Sequence, residues 1–229
     1  MANAPLSKIT APTAADVCKG FKPQPAAQAL MQPNHTPAEY LNVLEQKKMS
    51  GDAINVLAHG MPERESVHYA CQSSQKVAGQ MAPADKNALE AAQAWVKNPS
   101  EATKAKAAAA AAKTDHQGPG AWAAQAAAFS SSPTGAAPAA GLTGHAASGS
   151  VQLASAMANK PAAPQAPVTQ SPALKAPVLA APTSEAPKLA QPELTPSPMT
   201  VAQQEEAAKV HQPFIDLGKD IASGKNSWA

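Results

Sequence analysis

Large side chains are scarce in this chain. Its 229 residues include three Phe, three Trp and two Tyr, an aromatic content of 3%. Hydrophobic residues make up 44%, and alanine supplies most of them. Any core is therefore built from aliphatics and from small side chains that bury little area each. Arginine is rarer still: Arg64 stands alone among 18 basic residues. Binding a nucleic acid calls for a basic, usually arginine-rich face. Residues 34–159 instead balance nine basic against nine acidic side chains, so no nucleic-acid partner is expected. Two cysteines, Cys18 and Cys71, are too few for a disulfide scaffold, and reduced thiols suit a cytoplasmic protein. No run approaches the roughly 20 apolar residues of a membrane span. The opening Met1–Lys8 stretch has no apolar h-region, so no signal peptide is expected. A cytoplasmic location follows as the expectation, with signal-less export as the open alternative.

What the chain has in excess is proline, at 23 residues. Six stand five apart, at Pro167, Pro172, Pro177, Pro182, Pro187 and Pro192. Proline fixes φ and removes a backbone donor, so no helix or central strand runs through such a ladder. It divides the sequence into an N-terminal tail (1–33) expected to be disordered, a helical domain (34–159), a Pro/Ala-rich disordered linker (160–198) and a C-terminal helical segment (199–229).

Within the domain the start signals are local and clear. Thr36-Pro37-Ala38-Glu39 pairs a capping box with Pro at the first helical position. Ile54, Val56 and Leu57 give a short second helix an apolar face. A third opens at Met61-Pro62-Glu63, and a fourth runs from about Pro83 to Lys97. Asn98-Pro99-Ser100-Glu101 predicts an Asn-capped fifth helix of near-pure alanine. A sixth spans about 120–129 and a seventh runs from Thr143 to about Met157. The fold class is all-α: a compact bundle of six or seven short helices, then the linker and a short amphipathic C-terminal helix. Tyr40, Trp95, Trp122 and Phe129 are the expected core anchors. After the ladder, Thr200 with Gln203 predicts a helix to about Val210, which Pro213 should interrupt. Phe214, Ile215, Leu217 and Ile221 then form one apolar stripe, weakened by Gly218 and closed by Gly224. Such a stripe either folds back on the bundle or docks in a partner's groove.

Three stretches carry a resemblance. They are Met61-Pro62-Glu63-Arg64-Glu65-Ser66-Val67-His68-Tyr69-Ala70-Cys71, Ala94-Trp95-Val96-Lys97-Asn98-Pro99-Ser100-Glu101, and Gly118-Pro119-Gly120-Ala121-Trp122-Ala123 through Phe129. In this order and spacing the chain resembles an uncharacterised bacterial family of small Ala-rich helical proteins associated with type VI secretion gene neighbourhoods. The resemblance covers about residues 36–158 and implies a helical fold in a secretion-linked setting. It implies no catalytic residues.

Few constellations suggest chemistry. His68 and Cys71 share a helix face, and His59 is the nearest third ligand, but zinc needs four ligands or three plus water. Cys71 reads better as a small core hydrophobe. Glu63 and Glu65 beside Arg64 suit the positive end of a helix dipole better than an acid–base pair. No nucleophile elbow, phosphate loop or dinucleotide fingerprint appears. The expectation is a non-enzymatic adaptor, chaperone or accessory protein without metal or cofactor. It would bind protein partners through the domain and through Phe214, Ile215, Leu217 and Ile221. The alternative is an exported or structural component, cargo of a secretion machine.

Overall fold

Prolines start helices here: Pro37 and Pro83 as the sequence predicts, and Pro119 just ahead of the expected start of the sixth helix. In the computed structural model, which describes residues 5–114, 116–131, 141–159 and 201–225, Pro37, Pro83 and Pro119 each occupy a first helical turn, where a missing N–H costs nothing. Among the described residues there are ten α-helices, one 3-10 turn (Ala78–Gln80) and no strand. They are α1 (Ala14–Cys18), α2 (Pro25–Leu30), α3 (Pro37–Gln46), α4 (Ser50–Gly60), α5 (Glu63–Gln75), α6 (Pro83–Lys97), α7 (Glu101–Ala111), α8 (Pro119–Phe129), α9 (Leu142–Asn159) and α10 (Val201–Ala222). The proline ladder lies outside the described residues, and so does Thr200.

Three local expectations are corrected. The N-terminal tail was expected to be disordered; residues 13–30 instead carry α1 and α2, and Ile9, Ala14, Val17, Phe21 and Ala27 are buried in the common core. Their order comes from tertiary packing, which a short unpatterned stretch does not advertise. The α7 cap is Ser100, not Asn98. Ser100 Oγ accepts the Thr103 N–H at 3.3 Å, and Thr103 Oγ1 accepts the Ser100 N–H at 3.1 Å. Asn98 closes α6 instead, donating its N–H to Ala94 O at 3.0 Å. Pro213 does not interrupt α10, which runs continuously through it. The ring sits on the exposed face, so the Lys209 carbonyl that loses its donor has access to water, while Phe214 and Ile215 beside it are buried.

The core runs from Ile9 to Ala222 as one cluster. Tyr40 and Trp95 are buried in it as expected, and Tyr40 donates its hydroxyl to Ala27 O at 2.9 Å. Trp122 and Phe129 are only half-buried. The buried surface of α8 is made of alanine: Ala121, Ala123, Ala124, Ala126 and Ala127 are all fully enclosed. With methyl groups on every side, α8 packs closely against α5, α6, α7 and α9. Tyr69, which is not among the expected anchors, is fully buried in α5.

Candidate functional site

The apolar stripe of α10 follows from its spacing: residues 214, 215, 218, 221 and 222 fall on one helix face. That face is closed. Phe214, Ile215, Ile221 and Ala222 are 2%, 1%, 3% and 0% exposed, and Leu217 is partly buried against the same core. The stripe was expected to carry partner binding; the structure seats it on the chain's own bundle, against α4, α5 and α9. Of the two fates left open by the sequence, α10 adopts the fold-back.

The seat has specific features. Gly218 lies directly over Leu57 and the Tyr69 ring: a Cβ built there would stand 2.8 Å from Leu57 Cδ1 and 2.9 Å from Tyr69 Cζ. The residue that looked like a weakness in the helix is the notch that lets it approach. The signal was in the sequence, since a glycine at i+4 from Phe214 and i−3 from Ile221 sits in the middle of the stripe. The edge of the Tyr69 ring that bears the hydroxyl lies against this notch, and that hydroxyl is buried with no hydrogen-bond partner among the described residues. Burial pushes its pKa up.

Charge fixes the helix along its rim. Glu45 of α3 accepts from Lys219 Nζ at 3.0 and 3.1 Å, and from Gln212 Nε2 at 3.1 Å. Lys48 and Glu205 pair at 2.7 Å on the surface, which holds the Glu205 carboxyl below its usual range. The C-terminal end is capped as Gly224 predicted. Gly224, at φ +88°, donates to Ile221 O at 3.0 Å, and Lys225 donates to Asp220 O at 3.0 Å, the two bonds of a Schellman motif. The N-terminal segment adds a latch, with the Lys8 N–H donating to Ala222 O at 2.8 Å and Ser7 Oγ to Ser223 O at 3.2 Å.

The residues weighed for chemistry are engaged elsewhere. Glu63 accepts from Ser131 N at 2.7 Å and from Ser131 Oγ at 3.0 Å. Arg64 Nε donates to Val96 O at 2.8 Å and Nη2 to Lys97 O at 3.4 Å, closing the C-terminus of α6. Glu65 pairs with Lys8 at 3.4 Å. Cys71 is 1% exposed and burial pushes its thiol up, which makes it inert core. His68, three residues before it, is also buried, with its pKa lowered mainly by desolvation. His59 does not join them. It packs against Phe21 (centroids 4.9 Å) and edge-on against His145 (4.5 Å), and Gly20 and Gly144 leave room for its ring. Desolvation, with a smaller contribution from His145, lowers it to about 4. Among the described residues no group of three or more His, Cys, Asp or Glu is placed to hold a metal ion. A cleft of about 340 Å³ is lined by Met81, Asp85, Lys113, Gly118 and Met157, but its buried carboxylate, Asp85, is committed to the Ala121 N–H at 2.6 Å. No helix of the described residues is long and apolar enough to cross a membrane.

A family model described as "Family of unknown function (DUF6931)" matches residues 40–175. No curated protein and no solved structure matches the chain. The matched region contains Glu45, Leu57, Tyr69 and the whole of α9, that is, the walls of the α10 seat; α10 itself lies beyond it.

Proposed function

We propose that this chain, which belongs to the DUF6931 family of unknown function, is a non-enzymatic adaptor that binds protein partners through its helical bundle. The observation that carries the reading is the seating of α10. A single amphipathic helix, outside the family-matched unit, lies in a groove whose walls are inside it. That is the helix-in-groove mode by which many interaction modules take their partners. The engagement of Glu63, Arg64, Glu65 and Cys71 in structural contacts supports a binding role over catalysis. The three motifs quoted above support a bacterial setting, as an accessory protein of type VI secretion, and two free cysteines suit the cytoplasm.

The test is affinity purification of the tagged full chain, after in-cell cross-linking, from a bacterium that carries such a secretion cluster. The adaptor reading expects a defined secretion component in near-stoichiometric amount. A chain recovered alone after cross-linking sinks it. Secretion-dependent appearance of the chain in the culture medium would instead make it cargo.

A further inference from the structure

We propose that the groove beneath α10 is an exchangeable receptor for an amphipathic helix of a partner protein, and that α10 is its resident, self-inhibiting occupant. The proposal rests on the adaptor reading and names the partner class and the regulation of that site. Three observations support it. The receptor and its occupant belong to different parts of the chain: Glu45, Leu57 and Tyr69 lie within the matched 40–175 unit, and α10 does not. Residues 160–200 join the two covalently, so a displaced α10 stays part of the molecule. The fit is also incomplete. Beneath Gly218 the Tyr69 hydroxyl is buried with no hydrogen-bond partner among the described residues, so an occupant that supplies an acceptor gains a bond that α10 leaves unmade.

The groove specifies its ligand. It requires a glycine-sized residue over Leu57 and Tyr69, large apolar residues four positions before and three after it, and a cation one position after, to meet Glu45. α10 meets these conditions with Phe214, Gly218, Lys219 and Ile221. A tethered occupant acts at an effective concentration on the order of 1 mM. A free helix of equal intrinsic affinity must therefore reach about that concentration to displace half of it. A partner working at about 10 μM must bind about a hundredfold more tightly than α10.

The experiment places a site-specific protease site within residues 160–200 of the full chain and uses a fluorescein-labelled peptide of residues 205–225 as probe. Nicking removes the tether and keeps every residue. The nicked chain should remain one folded species by gel filtration and circular dichroism. At a chain concentration of about 10 μM it should take up the probe at about a hundredfold lower concentration than the intact chain, and it should not take up the Gly218→Leu probe. Each of three results overturns the proposal: a folded nicked chain that never exchanges its helix, a bundle that unfolds once the native helix is competed out, or equal uptake of the Gly218→Leu probe. A fourth, an intact chain that is a stable dimer and becomes monomeric when residues 201–225 are removed, would assign the groove to a second copy instead. None of these outcomes touches the cross-linking test, so the adaptor reading stands or falls separately.

Discussion

Replacing Gly218 sets two effects of known size against each other. Alanine favours a helix over glycine by about 1 kcal/mol, so on a free α10 the change is stabilising. On the docked helix the new Cβ stands 2.8 Å from Leu57 Cδ1, 2.9 Å from Tyr69 Cζ and 3.1 Å from Tyr69 Cε2. Contacts below about 3 Å force the neighbour to move. Leu57 and Tyr69 are both 0% exposed, so neither has open space to turn into, and the ring atom cannot yield by rotating a terminal methyl. Overpacking of this kind costs about 1–3 kcal/mol. The clash therefore outweighs the propensity gain, and Gly218→Ala loosens α10 by about 1 kcal/mol, roughly fivefold in the opening equilibrium. Gly218→Leu has no room at all and should release the helix, re-exposing Phe214, Ile215 and Ile221, whose burial is worth about 1.5–3 kcal/mol each. Native-state hydrogen exchange read by mass spectrometry separates local from global effects. Protection of residues 214–222 should fall about fivefold in the alanine variant and almost vanish in the leucine variant, while α8 keeps its protection. If Gly218→Ala instead raises protection in α10, propensity has won, and the notch is not a tight contact.

Three further outcomes follow from polar groups in and around the core. Tyr69→Phe removes a hydroxyl without a partner and should be neutral or stabilising by up to about 1 kcal/mol in urea unfolding, whereas Tyr40→Phe breaks the 2.9 Å bond to Ala27 O and should cost about 1 kcal/mol; equal effects would contradict the assignment. His59 is held near 4 in the folded chain against an ordinary 6.5, so the unfolded state binds the proton more readily. Stability from this group is complete above pH 6.5 and is lost as pH falls toward 4, by up to about 3 kcal/mol. Urea midpoints measured between pH 7.5 and 4.5 should fall less steeply in His59→Gln, and parallel slopes would refute the burial. Arg64→Ala should cost about 2 kcal/mol by opening the α6 C-terminus, with Arg64→Lys recovering only part, because a point charge does not reproduce the guanidinium fork; full recovery would reduce the contact to simple charge.

What was legible in the sequence was what is decided within one turn of chain. Thr36 and Glu39 form their capping box, with Glu39 Oε2 accepting the Thr36 N–H at 2.9 Å, because both partners lie three residues apart. Pro37 and Pro83 start helices for the same reason. Expectations went wrong where distant residues decide. Nothing within residues 13–30 announces that Ala14 and Val17 will be covered. Asn98 and Ser100 are both good caps, and the choice fell to Ser100 because Asn98 was already closing α6. At the site, the stripe of α10 was readable as a stripe. Its seat was not, because Glu45, Leu57 and Tyr69 come from three different helices that only the fold assembles. Gly218 was visible, but its meaning depends on the Tyr69 ring beneath it.

The motifs that carry the family resemblance have a common physical role in placing helix ends. Helix α8 has almost no large side chains to fix its position, and methyl groups slide past one another more easily than interdigitated leucines do. Its placement is instead set at its ends. At the N-terminus, the Asp85 carboxylate accepts the Ala121 N–H at 2.6 Å, and Ser150 Oγ donates to Pro119 O at 2.7 Å and lies 3.0 Å from Ser74 Oγ. Beyond the C-terminus, Lys104 Nζ donates to Ser130 O at 2.6 Å and Glu63 takes the Ser131 N–H. Gly118 and Gly120 are small because Asp85 and the α6 backbone already occupy the space their side chains would need. Arg64 does for the end of α6 what these contacts do for α8. In an alanine-rich bundle, then, polar contacts at helix ends do the positioning that bulky core residues do elsewhere. Substitutions at Arg64, Asp85 or Gly120 will therefore report on how the helix ends are placed.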